Sequence, residues 1–128
     1  MPLQMDKKKF FRIKSAFEKR GGIVQSDEAT DRYLDLREAE GLTYNENMIL
    51  LKTNASASAV FEELIHAAQY KQGRNDGTYE NRLLMEIEAQ EKLIRYQKVY
   101  GISDLENEQT KKALADYYEE LKNFRKGN

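Results

Sequence analysis

The sequence predicts an α+β fold: a small three-stranded sheet packed on one central helix, with further long helices closing the other side. Three observations predict it. Apolar residues recur at helical spacing over most of the 128-residue chain. Three short runs, 22–25, 42–44 and 48–52, carry strand character instead. Glycines and small polar clusters separate these segments, and no repeat or long linker divides the chain into more than one domain, 1–128.

The elements follow in order. Residues 6–19 place Phe10, Ile13 and Phe17 at helical spacing, and Gly21-Gly22 ends that run. Ile23-Val24-Gln25 forms a short strand. Ser26 can cap a helix with Asp27 and Glu28 in its first turn, where a carboxylate meets the positive helix end. That helix is expected to run through Tyr33, Leu34 and Arg37 to about Glu40, with Gly41 as its stop. Leu42-Thr43-Tyr44 and Met48-Ile49-Leu50-Leu51 flank Asn45-Glu46-Asn47 as a hairpin. The polar loop 53–58 supplies a cap for a helix over 57–71, and long helices are expected at 79–100 and 104–124.

The helix over 57–71 carries the chain's only histidine, His66. At about 100° per residue, Val60, Phe61, Leu64, Ile65 and Ala68 share one apolar arc. Glu62, His66 and Gln69 lie opposite, with Glu63 beside them. Glu62 and His66 are therefore one turn apart on one side, the spacing by which a helix presents two metal ligands. The plain alternative is an i,i+4 pair between a glutamate and a solvent-facing histidine. A catalytic zinc site needs a third protein ligand. On the 79–100 helix Glu86 lies between two apolar strips, Leu83/Ile87/Ile94 and Met85/Ala89/Leu93, whereas Glu88 shares the solvated side with Glu91 and Lys92. A carboxylate set between apolar strips needs a cation, either a metal or an arginine. Glu86 is preferred to Glu88 on that ground, and both stay open.

Composition limits the function classes. With no cysteine, neither disulfides nor thiolate ligands are available, so any transition-metal site uses His66 and carboxylates. Lys and Arg number 21 against 22 Asp and Glu, which gives no broad electrostatic footprint for nucleic acid. Residues 1–20 alone are basic, seven cations against two acids, a solvated face or a partner surface. No apolar run approaches the roughly 20 residues that cross a bilayer. No signal-peptide core is apparent, so a cytoplasmic location, or export as part of a longer chain, is expected.

The block from Ser58 to Tyr70, with Glu62-Glu63-Leu64-Ile65-His66-Ala67 at its centre, and the later Glu86-Ile87-Glu88-Ala89-Gln90 resemble a zincin-like metallopeptidase domain. Domains of this kind occur in bacterial polymorphic toxins and phage-derived proteins. The similarity extends from about Phe10 to Leu121. It implies that Glu62, His66 and a glutamate of the next helix hold the metal, for which Glu86 is the preferred candidate, and that Glu63 is the catalytic general base. It implies zinc as cofactor, a protein or peptide substrate, and an immunity or partner protein where the domain acts as a toxin. The chain departs from His-Glu-x-x-His by placing Glu62 where the first histidine stands. Two carboxylates and one imidazole make a harder site, open to Mn²⁺ or Fe²⁺ as well. A metal-free interaction module, built on the basic first helix or the tyrosine-rich last helices, is the alternative. A nuclease is disfavoured by the charge balance.

Overall fold

The computed structural model describes residues 4–127. The first helix, α1 (Lys7–Lys19), starts where the Asp6 carboxylate accepts the Lys9 N–H. It buries Phe17 and leaves Phe11 exposed. Gly22 follows because its Cα presses on Phe17, where an added Cβ would sit 2.4 Å from the ring. Strand β1 (Ile23–Gln25) leads into α2 (Glu28–Leu36). Strands β2 (Gly41–Asn45) and β3 (Met48–Leu51) form the hairpin, and α3 (Ala57–Lys71) crosses the sheet. The chain ends in α4 (Tyr79–Arg95), the single turn α5 (Gln97–Tyr100) and α6 (Asp104–Lys126).

The sheet order is β1-β3-β2, with β1 parallel and β2 antiparallel to β3. β3 is therefore central, and Ile49 and Leu51 are almost fully buried against α3. Val24, Val60, Ile65, Ala89, Leu93 and Ile102 complete this core. A second, smaller cluster joins Leu83 and Ile87 of α4 to Leu121 of α6. α4 is thus two-sided: one stripe meets α3, the other meets α6.

Four local expectations are corrected. Asp27, not Ser26, caps α2: its carboxylate accepts the Thr30 N–H at 2.7 Å. α2 stops at Leu36 rather than near Glu40, because Arg37 leaves helical geometry and Glu38 adopts φ +54°. Gly41 is accordingly not a helix stop but the first residue of β2, where an added Cβ would lie 2.8 Å from Glu63 Cγ. The expected 79–100 helix breaks at Tyr96, and the new direction lets Tyr100 stack on Phe61 at 4.0 Å between ring centroids.

The wheel of α3 needs a further correction. Ala68 of its apolar arc is exposed, while Glu63 and Gln69 from the other side are buried. The physical reason is that α3 lies between the sheet and α4, so its polar side is covered as well. No helix among the described residues is long and apolar enough to cross a membrane.

Candidate metal centre

Ser56 caps α3, accepting the Ala59 N–H, and sets the helix phase that follows. From that phase Glu62, Glu63 and His66 project toward a cleft of about 620 Å³ between β2 and the first turns of α4. Glu86, on the second turn of α4, enters from the facing wall. Its Oε1 lies 2.6 Å from His66 Nε2, and Glu62 Oε2 lies 3.8 Å from the same nitrogen. One ligand atom from each of the three residues falls within 4.8 Å of the others, all half-buried. Helix spacing placed two of these groups together; only packing of α3 on α4 brings the third.

The tautomer of a neutral His66 is set by its neighbour Gln69. The Gln69 amide nitrogen donates to the Met85 carbonyl at 3.0 Å and to Glu88 Oε1 at 2.9 Å. Its carbonyl oxygen must then face His66 Nδ1, 2.8 Å away, and accept that N–H. This assignment leaves the neutral ring's lone pair on Nε2, pointing into the carboxylates. Glu86 Oε1 is buried there and receives no aligned hydrogen bond, despite the short approach of Nε2. Two acceptors so close require a shared proton or a shared cation between them. Without a metal the proton serves: burial opposes the imidazolium, but Glu62 and Glu86 outweigh it and hold His66 well above the ordinary histidine range. Burial also works against the Glu86 carboxylate, and the His66 and Tyr117 contacts overcome it and lower its pKa.

A divalent cation that displaced this proton could be held by His66 Nε2 and the Glu62 and Glu86 carboxylates, one of whose oxygens has no aligned hydrogen bond. Glu88 stands outside this group. It pairs with Arg74 at 2.8 Å and holds Gln69, so it supports His66 through one intervening amide.

Glu63 is the most buried of the four residues, and its carboxylate lines the same cleft. Thr43 of β2 shares a single hydroxyl proton between the Glu63 carbonyl (2.9 Å) and Oε1 (2.8 Å). Burial, reinforced by the Glu62 charge, pushes the Glu63 pKa up to about 7. A carboxyl poised there can both accept and release a proton near neutrality.

Three contributors had no assigned role at the level of sequence. Gln69 stood beside His66 on the wheel, and its i+3 spacing was the available signal. Thr43 and Tyr117 gave none. Tyr117, on α6, donates its hydroxyl to Glu86 Oε2 at 3.1 Å across 31 residues of sequence. Comparison with protein families, curated proteins and solved structures finds no match to this chain.

Proposed function

We propose that the protein is a metal-dependent peptidase of zincin-like type, with Glu62, His66 and Glu86 holding Zn²⁺, or Mn²⁺ or Fe²⁺, and Glu63 as general base. The observation that carries this reading is the convergence of three donors on one point, with Gln69 fixing the histidine tautomer that binds metals. When bound, the cation supplies a Lewis acid that brings the pKa of water toward about 7. Glu63 takes a proton from the water that attacks the peptide carbonyl, and returns it to the amine as the C–N bond breaks. Thr43 holds the Glu63 carboxylate on the cleft side of α3 during both transfers. β2 lines the same cleft and pairs with β3 alone among the described strands, so its outer edge can receive an extended peptide. Release of such a domain as a toxin, countered by an immunity protein, is the setting the sequence resemblance suggests.

One observation favours the competing reading, a metal-free interaction module: an imidazolium at His66 satisfies both carboxylates without any ion. Metal content by mass spectrometry, on protein purified without chelator, separates the two. Near-stoichiometric metal that vanishes in His66→Ala is expected. A metal-free wild type, with no thermal shift on adding Zn²⁺ or Mn²⁺, would return the module. In the metal-loaded protein, Glu63→Gln should keep the metal and lower peptide hydrolysis by about 10²–10⁴-fold.

A further inference from the structure

The cleft holds two cations that the peptidase chemistry does not use. Arg37 caps the C-terminus of α2, just before the edge strand β2 begins. Arg82 lies on α4, one turn before Glu86. Both line the cleft, from different elements. Among the described residues neither meets a carboxylate at ion-pair distance, whereas Arg74, in the loop before α4, is neutralised by Glu88. Both side chains are exposed where they line the cleft; Arg37 donates to the Tyr33 hydroxyl at 3.4 Å with its guanidinium 5.5 Å from the ring centroid, contacts that do not neutralise it.

The charges of the cleft then add up to a sign. With a divalent ion on two carboxylates and a neutral imidazole, the metal centre is neutral. Glu63 contributes at most one negative charge, and a proton passed to it from the attacking water does not change the sum. Arg37 and Arg82 contribute two positive charges throughout, so the loaded cleft is cationic at every stage. A guanidinium presents paired N–H donors that match a carboxylate in the plane.

We infer that the substrate carries a carboxylate, on an acidic side chain or a free C-terminus, near the bond that is cut, and that Arg82 and Arg37 receive it. This inference rests on the peptidase reading, and it adds the substrate class. A peptide lying along β2 passes Arg37 as it enters the cleft, and Arg82 faces it beside the metal centre.

Binding decides the matter independently of turnover. Fluorescent hexapeptides that differ only by Glu or Gln at one position, each with a free or amidated C-terminus, are titrated by anisotropy into wild type and the Arg37→Gln/Arg82→Gln double variant. Buffers containing Zn²⁺ or a chelator are compared, and cleavage is followed by mass spectrometry. With Zn²⁺, at least one carboxylate-bearing peptide should bind about tenfold tighter than its neutral twin. The double variant should lose that preference while keeping its metal content and melting temperature. Equal binding within every pair, or a preference that survives in the double variant, overturns the inference. Tighter binding of a phosphoserine counterpart than of the Glu peptide overturns the carboxylate assignment. Absence of metal and of cleavage would defeat the peptidase reading, and the binding comparison would still decide the arginines.

Discussion

Two buried carboxylate groups lie against the same helix, and they differ in what surrounds them. At the N-terminus of α3, Glu106 of α6 is almost wholly buried. One of its oxygens accepts from the Ser58 N–H and hydroxyl, and the other from the N–H and hydroxyl of Ser103. Every contact is a neutral donor meeting a charged acceptor, and the arrangement caps two helices at once. Two turns further along α3, Glu62, Glu63 and Glu86 crowd around His66, and one buried oxygen is left without a donor. The first group is complete within the chain. The second becomes complete only by taking up a proton or an ion. An acid met by donors on both oxygens is a joint; one with an oxygen left open has room for a proton or, on the proposed reading, a metal ion.

Breaking the joint should give the largest effect. Glu106→Ala leaves two hydroxyls and two backbone N–H groups without their acceptor, and should cost about 3 kcal/mol in denaturant unfolding. The metal content of the folded fraction should not change. A variant that unfolds normally but binds no metal would erase the distinction between the two groups.

The candidate metal centre should answer differently. Gln69→Leu removes the acceptor that fixes the His66 tautomer, and metal affinity should fall by about 10–100-fold. Competition with a chromogenic chelator measures this. Tyr117→Phe removes one hydrogen bond to Glu86 and should weaken the metal by less, on the order of 1 kcal/mol or about fivefold. A double variant that loses no more than Gln69→Leu alone would mean that the two supports act as one unit.

The smallest effect is the pH response of the joint. Burial tends to raise the Glu106 pKa, but the Ser103 and Ser58 bonds prevail and hold it below the ordinary carboxylate value. The folded state therefore prefers the ionised form. Its stabilisation is present above the ordinary glutamate range and is lost as pH falls through that range toward the depressed value. Acid-induced unfolding followed by circular dichroism should be shallower in Glu106→Gln, which lacks this titration.

The sequence carried the sheet and the long helices well, because their signals are local. Ile23-Val24-Gln25 and the hairpin runs are short apolar stretches bounded by turn residues, and α3 and α6 have serine caps at their starts. Glu62 and His66 were legible for the same reason, since one turn of one helix places both. Glu86 came from a cost argument, a carboxylate set between apolar strips, and packing on α3 brings it beside His66. What was not legible depended on partners distant in sequence. The wheel of α3 shows one apolar arc, so the burial of Gln69 by α4 leaves no mark on it. The Tyr117–Glu86 bond requires the α4–α6 hairpin to exist first. Gly41 looked like a helix stop, and its need is steric: Glu63 passes too close for any Cβ.

The two-sided packing of α4 has a thermodynamic consequence. Leu83 and Ile87 tie it to α6, while Glu86, between them in sequence, reaches across to His66. Docking of α6 and occupancy of the centre therefore draw on one common free energy. On the proposed reading the coupling is reciprocal: what α6 docking adds to ion affinity at the centre, a bound ion adds to the equilibrium between docked and frayed α6. The C-terminal helix is thus a gauge of the site, readable by amide exchange far from the cleft.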